Sequence, residues 1–338
     1  MKLPSPLGLS REQLLEILLG EEYGTLPPAP IALTAEETAL DKKFCAGKAP
    51  LHTVLLTAQC AFGDFSFPVR YFCPKTGSPV PAVVLLNFRP DVPDRYLPAE
   101  ELADMGYAVF SLCYQDITSD NADFTAGLAG LVYPGGKRSA YDCGKIGLWA
   151  WAALRVFEFA LTLPEIDHHR ISVAGHSRLG KTALLAGALE PRFYCAWSND
   201  SGCSGAAISR ENTGETIEAI CRKFPYWFCE SYRKYADNEE ALPFDQHFLL
   251  AANADHLVYV SSAQEDLWAC PGNEYLSCIA ATPYFESIGK PGFIGPEEAP
   301  ETEAFFHQGS IGYHLRPGSH YLSREDWQHF FAFLNTKN

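Results

Sequence analysis

The chain has 338 residues, of which 47% are hydrophobic, and its 26 basic and 41 acidic side chains give a net charge of −15. A chain of this length and apolar content can bury a large core, and α/β architectures of this size often form one domain. The negative field around such a molecule repels polyanions, so the charge argues against nucleic acid as a partner.

Eleven cysteines are scattered along the chain, and no two of them form a C-x-x-C pair. An odd, dispersed set in a chain this long predicts reduced, mostly buried thiols rather than a disulfide framework. The first residues contain no apolar core followed by a cleavage site, and no segment approaches the roughly 18 apolar residues of a membrane helix. We therefore expect a cytoplasmic protein without a membrane partner.

Residues 1–50 are polar and interrupted by prolines. Within them Ser10 is a favourable N-cap, and Gln13 stands at the third helical position, as in a capping box. This segment predicts an N-terminal helical brace.

Short β-type runs then alternate with helical stretches. The predicted strands are Leu51–Ala61, Phe67–Cys73, Ala82–Asn87, Tyr107–Tyr114, Ile171–Ala174, Tyr194–Trp197, His256–Ser262 and Ile311–His314. The predicted crossover helices are Pro98–Met105, Gly144–Leu163, Gly180–Ala188 and Asp326–Leu334. The later strands are continuous apolar blocks, as expected of parallel strands that are buried on both faces.

This alternation predicts an α/β fold: a three-layer αβα sandwich around a mostly parallel, doubly wound sheet. We expect a single domain over residues 1–338. Residues 201–254 are too long for a plain crossover and are rich in aromatic and polar residues. Insertions of this kind often cover an active site, so we expect this one to lie near it.

The segment 175–182 reads GHSRLGKT and lies between a predicted strand and a predicted helix. It matches G-x-x-x-x-G-K-[ST], the loop whose backbone N–H groups hold nucleotide phosphates. Around Ser177 it is also one residue away from G-x-S-x-G, the elbow that presents a nucleophilic serine in α/β-hydrolases. The two patterns predict a nucleotide hydrolase and an ester hydrolase.

The remaining sequence favours the hydrolase. A phosphate loop normally follows the first strand of its core, whereas this segment comes after several strands. Serine-hydrolase chemistry requires an acid after a later strand and a histidine near the C-terminus. Asp266 and His320 follow Ser177 in that order. In this interpretation Ser177 is the nucleophile, and His320 takes its proton and returns it to the leaving alcohol.

Neighbouring residues offer alternatives for both partners. His314 lies in the same segment as His320, and His176 lies beside the nucleophile. For the acid, Asp200 lies 23 residues after Ser177 (200 − 177), at the end of the next strand, and Glu265 adjoins Asp266. We favour Asp266; Asp200 either shares the histidine or caps the Ser-Gly turn that follows it.

Two cations stand at the start of the helix after Ser177, where they oppose the helix dipole. Arg178 directly follows the nucleophile, so its backbone N–H is placed to donate to an oxyanion. Lys181 lies in the first helical turn. Because neither cation stabilises the helix, both indicate an anionic or polar ligand.

The segment 175–181 resembles the G-[CH]-S-R-x-G-K signature of glucuronoyl esterases, carbohydrate esterase family 15, whose serine elbow carries the same extra residue. The resemblance covers roughly the last two thirds of the chain. It continues through residues 198–203 (SNDSGC), 214–217 (GETI), 224–228 (FPYWF), 242–245 (LPFD) and 265–268 (EDLW).

The resemblance implies an α/β-hydrolase fold and further roles for named residues. It implies that the Arg178 guanidinium assists at the oxyanion. Lys181 contacts sugar hydroxyls, Glu215 accepts from others, and Trp268 forms a wall of the sugar site. Trp227, in the aromatic insertion, is equally well explained as core packing.

The sequence thus predicts a carboxylic ester hydrolase that works through an acyl-enzyme and cleaves esters of glucuronic or a related uronic acid. The substrate would be a small molecule or an oligosaccharide. A carbohydrate acetyl or acyl esterase of the same fold is the first alternative, and a phosphate-loop nucleotide hydrolase is a remote one. No metal cluster or dinucleotide loop is apparent, so we expect no cofactor and no metal.

Overall fold

The computed structural model of the protein describes residues 2–337. Its strands are β1 Ala32–Asp41, β2 Leu51–Cys60, β3 Gly63–Phe72, β4 Val80–Asn87, β5 Ala108–Cys113, β6 Ile166–His176, β7 Cys195–Asn199, β8 Leu257–Ala263, β9 Phe305–Phe306 and β10 Ile311–Arg316. Its α-helices are α1 Arg11–Leu18, α2 Ala99–Asp104, α3 Tyr114–Ile117, α4 Gly127–Val132, α5 Lys145–Ala160, α6 Arg178–Leu189, α7 Ile217–Lys223, α8 His247–Ala252, α9 Pro271–Ser287 and α10 Arg324–Asn335.

All ten strands join one sheet in the order β1-β2-β3-β5-β4-β6-β7-β8-β10-β9. The six neighbouring strands from β5 to β10 in that order pair in parallel. The three strands at one edge and β9 at the other pair antiparallel. The mostly parallel sheet predicted from the sequence is therefore confirmed at its centre.

Alternate side chains of the central strands enter two separate cores, one on each face of the sheet. Val84 and Leu86 of β4 pack into the larger core, which includes α5, α6, α8 and α9. Val83 and Leu85 pack into the smaller core, which includes α2 and α10. This arrangement is the three-layer sandwich, and it leaves the carboxyl edge of the parallel strands as the place where loops from several elements meet.

Each of the eight predicted strands and four predicted helices corresponds to an observed element. The Ser10 capping box is also present: the Ser10 hydroxyl accepts from the Gln13 backbone, and the Gln13 side chain accepts from the Ser10 N–H. The predicted helical brace, however, leaves out β1, which occupies residues 32–41 of that segment. Eight of its ten residues are exposed, so no apolar alternation reveals this strand.

The eleven cysteines are all free, and nine of them are buried, as the sequence predicted. Among residues 2–337, no helix combines the length and the apolar character that crossing a membrane would require.

Candidate active site

The elbow at Ser177 joins β6 to α6 at the carboxyl edge of the sheet. Ser177 has φ 58° and ψ −130°, a conformation that costs a non-glycine residue about 1–3 kcal/mol. Its backbone N–H donates to the Asn199 carbonyl at 2.8 Å, which holds the turn against β7. Strained backbone of this kind is typical of a nucleophile that must stand clear of both the strand and the helix.

Glycines explain how the elbow can be so tight. A Cβ atom on Gly175 would lie 2.1 Å from the Leu179 carbonyl oxygen. A Cβ atom on Gly180 would lie 3.0 Å from Ser198 Oγ and from Ser201 Cβ. Both glycines therefore serve the close packing of α6 against the sheet, rather than an open cradle for phosphate.

His320 and Asp266 are brought together by the loops after β10 and β8. His320 Nδ1 lies 2.5 Å from Asp266 Oδ2. The Asp266 side chain is buried, whereas 43% of the His320 side chain is exposed. An imidazole oriented by a buried carboxylate on one nitrogen keeps its other nitrogen available for proton transfer.

The two alternative histidines are occupied elsewhere. His314 is buried between the Tyr259 hydroxyl, at 2.8 Å, and Asp326, at 2.9 Å. His176 packs against the His320 ring with centroids 4.4 Å apart, and its Nδ1 meets Asn199 Oδ1 at 2.6 Å. Burial, and then the neighbouring His320, lower the pKa of His176 to about 3. His176 is thus a neutral packing partner of His320 at ordinary pH.

Asp200 is close to this pair but makes different bonds. One carboxylate oxygen accepts from the Ala263 N–H at 2.7 Å, and the other faces Arg316 at 3.4 Å. Burial, and then two neighbouring carboxylates, raise the pKa of Asp200 well above its ordinary value. Its oxygen still lies within 4.8 Å of the ligand atoms of Asp266 and His320. Asp200 is therefore a close neighbour of the histidine, while Asp266 is the acid that contacts it.

The remaining acid alternative, Glu265, is exposed and does not line the cavity described below. The turn that Asp200 was expected to cap is instead held by Glu274 of α9. The backbone N–H groups of Ser201 and Gly202 donate to Glu274 Oε1 at 2.8 and 2.9 Å. Glu274 reaches this turn from 72 residues away in the chain, which is why local turn statistics assign the role to Asp200.

Arg178 is the first residue of α6, so its backbone N–H has no acceptor within the helix. Its guanidinium lies over the Trp227 ring, 4.8 Å from the centroid, and near Phe224 at 5.4 Å. One amino group of the guanidinium donates to Asp120 Oδ2. The side chain predicted to assist at an oxyanion is thus enclosed by aromatic rings and paired with a carboxylate.

Lys181 is buried, and its ammonium group donates to Glu215 Oε2 at 2.7 Å, to the Ser201 carbonyl at 2.7 Å and to the Cys203 carbonyl. All three N–H bonds of the ammonium group therefore have protein acceptors. The Glu215 N–H donates to the Trp268 carbonyl at 2.7 Å, which joins the two predicted sugar contacts. Trp268 itself is 45% exposed.

These residues line one cavity of about 340 Å³. Its wall is formed by Ser177, Arg178, Lys181, Asp200, Ser201, Gly202, Glu215, Phe224, Trp227, Asp266, Trp268, Ala269 and His320. The structure thus brings the favoured catalytic and sugar-binding residues and Asp200 to one place, and five of the lining residues come from the insertion at residues 201–254. A cavity of this size suits a single sugar ring with its substituents.

Three residues that hold the site were not predicted from the sequence: Asp120, Glu274 and Arg316. Arg316 donates to the carbonyl oxygens of Ser319 and Tyr321, on both sides of His320. Position at the carboxyl edge is the one sequence signal for Asp120 and Arg316, since both follow predicted strands.

The parallel sheet, the serine elbow after β6 and the histidine loop after the last parallel strand define an α/β-hydrolase. Comparison with known proteins gives the particular family. A family model for fungal glucuronyl esterases matches residues 57–289. The chain belongs to the glucuronoyl esterase family, a family of carboxylic ester hydrolases.

Individual relatives agree. The chain is 38% identical over 238 residues to "Carbohydrate esterase MZ0003" from an unknown prokaryotic organism. The alignment covers 70% of this chain and 55% of that protein. It is 27% identical over 291 residues to a 4-O-methyl-glucuronoyl methylesterase of Podospora anserina, covering 82% of this chain and 56% of that protein. The chain therefore spans about half the length of these two relatives.

Solved structures match over nearly the whole chain. A glucuronoyl esterase from Solibacter usitatus superposes with a TM-score of 0.91 at 30% identity, covering 99% of this chain and 97% of that one. A structure described as a promiscuous CE15 esterase from a marine bacterial metagenome superposes with a TM-score of 0.89 at 28% identity, covering 99% and 96% of the two chains.

Proposed function

We propose that the protein hydrolyses esters of glucuronic acid, or of a related uronic acid, through an acyl-enzyme intermediate. The observation that carries the proposal is the shared cavity. Ser177, the His320–Asp266 pair and Arg178 line the same space as Glu215 and Trp268. A uronate ester has its reacting carbonyl directly on a sugar ring, so it requires catalytic and sugar-binding groups within one small cavity.

In the proposed reaction Ser177 Oγ attacks the ester carbonyl carbon, and its proton passes to His320 Nε2. Asp266 keeps Nδ1 protonated and stabilises the imidazolium. The oxyanion receives hydrogen bonds from the Arg178 backbone N–H and guanidinium, and the loss of one such donor typically costs about 10²–10³ in rate. His320 returns the proton to the leaving alcohol, and water then releases the uronic acid by the same steps.

The sugar side is proposed to rest on Glu215 and Trp268. Glu215 accepts from a hydroxyl of the ring, while the indole of Trp268 forms the wall beside it. The Lys181 ammonium orients Glu215 in this arrangement, and a hydroxyl would contact Lys181 by replacing one of its carbonyl acceptors. These roles place the sugar on the acid side of the ester, which distinguishes a uronate esterase from a deacetylase.

We retain the cytoplasmic location as a proposal. It is supported by the eleven free cysteines, nine of them buried, because reducing compartments keep thiols unpaired. Fractionation of the native host with an antibody against the protein tests it, and recovery outside the cell would reject it.

The function is tested by hydrolysis of methyl or benzyl glucuronate beside p-nitrophenyl acetate, without added metal. We expect preference for the glucuronate esters and loss of activity in Ser177→Ala. Activity on the acetate alone would indicate an acyl esterase. No activity on either substrate would reject the proposal.

The acid is tested in the same assay. Asp266→Asn should lower kcat by roughly 10⁴, because the carboxylate that fixes the histidine tautomer is lost. Asp200→Asn should cost much less in kcat, because that side chain bonds to Ala263 and Arg316 and not to the histidine. The reverse order of effects would make Asp200 the acid.

A further inference from the structure

We propose that Asp120 is a positioning residue. It holds Arg178 as a donor to the oxyanion and prevents the carboxylate product from forming a two-pronged ion pair with it. This inference rests on the proposed function, since it concerns the acid that a uronate esterase releases.

Asp120 lies on the loop after α3, at the carboxyl edge of the sheet, and its side chain is 10% exposed. Both of its carboxylate oxygens are occupied. Oδ2 accepts from the Arg178 guanidinium and from the Tyr114 hydroxyl at 3.2 Å, and Oδ1 accepts from Trp227 Nε1 at 2.9 Å. Side chains from three places, α3, α6 and the insertion at residues 201–254, therefore meet at this carboxylate.

The loop that carries Asp120 is itself fixed. Buried Lys145 donates to the Thr118 hydroxyl and to the Asp123 carbonyl, each at 2.6 Å. The Tyr226 hydroxyl donates to the Asp120 carbonyl oxygen at 3.0 Å. A carboxylate anchored on both sides of its loop is a rigid support, as the supporting shell of a catalytic group must be.

The guanidinium of Arg178 is held between this carboxylate and aromatic rings. Its carbon lies 4.8 Å from the Trp227 ring centroid and 5.7 Å from that of Phe88. Its Nε is buried and has no hydrogen-bond partner among residues 2–337. The rest of the guanidinium is more accessible: 24% of the Arg178 side chain is exposed, and Arg178 lines the cavity, so a donor remains for an oxygen atom of the bound ester.

The ion pair between Arg178 and Asp120 affects how the enzyme binds its product. An ester is neutral and its product is a carboxylate, and a free guanidinium binds carboxylates through two parallel N–H···O bonds. Asp120 occupies Nη1, which closes the fork between the two amino groups, and the burial of Nε closes the fork between Nε and Nη2. The oxyanion of the intermediate is covalently fixed beside Ser177 and needs only donors that already point at it.

The test is Asp120→Asn, which keeps the shape of the side chain and removes its charge. We expect kcat for methyl glucuronate to fall by roughly 10- to 100-fold, because Arg178 loses its fixed orientation. The affinity for glucuronic acid, measured by calorimetry and as competitive inhibition, should rise by roughly tenfold, because the freed fork pairs with the product. If Asp120 had a purely structural role, Asp120→Asn would lower both kcat and the affinity for glucuronic acid.

Two control variants separate charge from geometry. Asp120→Glu retains the charge and displaces it, so kcat should fall while product affinity stays near that of the wild type. Tyr114→Phe removes a neutral hydrogen bond to the same carboxylate and should leave product affinity unchanged. Thermal melting of each variant checks that it folds.

The inference is overturned if wild-type protein hydrolyses the ester and Asp120→Asn binds glucuronic acid no more tightly. A wild type without activity on uronate esters would instead reject the proposed function, and the two failures are distinguishable because product binding is measured without turnover.

Discussion

Glu274 allows a quantitative test of the buried carboxylates around the site. Its two oxygens accept from the backbone N–H groups of the Ser201–Gly202 turn and, at 2.6 Å, from the Ser262 hydroxyl. Burial raises the pKa of Glu274 from 4.5 to about 7. Glu274→Gln keeps the size and an acceptor oxygen but removes the titration.

The direction of the pH dependence follows from proton binding. Between pH 4.5 and 7 the unfolded chain releases the Glu274 proton while the folded protein retains it, so the free energy of unfolding falls as the pH rises through this window. The difference of 2.5 pKa units (7 − 4.5) corresponds to about 3 kcal/mol. Above pH 7 both states are ionised and this contribution stays constant.

The assay is urea unfolding of wild type and Glu274→Gln at pH 5, 6, 7 and 8. Other titrating groups affect both proteins alike, so the difference between them isolates Glu274. We expect the free energy of unfolding of Glu274→Gln, relative to that of the wild type, to rise by about 2–3 kcal/mol between pH 5 and pH 8. Glu286→Gln, at an exposed position of the same helix, controls for the substitution itself. A difference between wild type and Glu274→Gln that does not change with pH would refute the reasoning, because it would mean that the Glu274 carboxylate is ionised throughout.

Two further changes test how the elbow and the histidine loop are held. Gly175→Ala places a methyl carbon 2.1 Å from the Leu179 carbonyl oxygen, so we expect a loss of more than about 3 kcal/mol in the free energy of unfolding. Gly272→Ala, which meets no atom within 4 Å, should be neutral or slightly stabilising in the same urea titration. Arg316→Met leaves two buried carboxylates without their cation and should cost about 3–5 kcal/mol in stability. It should also lower kcat more than KM changes, because the carbonyl groups flanking His320 lose their donor; equal kcat in a folded variant would contradict this.

The central fold could be predicted because its strands are buried on both faces. Mostly apolar runs such as residues 171–174 and 256–262 have no polar face that could point to solvent. Strand β1 could not be predicted in the same way, since it is held through backbone pairing with β2 and its side chains are mostly exposed. Helix α9 was not predicted for a different reason: Pro283 lies inside it, and a proline in that position normally signals a break.

The site could be predicted where the chemistry follows chain order and not where it depends on distant contacts. Ser177, Asp266 and His320 appear in the order that the hydrolase fold requires. Asp120 contacts Arg178 across 58 residues of sequence, and nothing in the sequence distinguishes it from Asp116 and Asp123 in the same stretch.

The choice between Asp200 and Asp266 shows why chain order alone cannot name the catalytic acid. Backbone strain gathers at this edge of the sheet, where Ser177, Asp200 and Cys270 all have positive φ. Turns of this kind expose backbone N–H groups that have no partner in the sheet, and buried carboxylates satisfy them: Asp200 accepts from Ala263, and Glu274 accepts from the turn at residues 201–202. An acid after a strand can therefore be a structural acceptor, as Asp200 is here. Asp266 differs because its carboxylate meets an imidazole that remains partly exposed, so it can stabilise a proton that moves during the reaction.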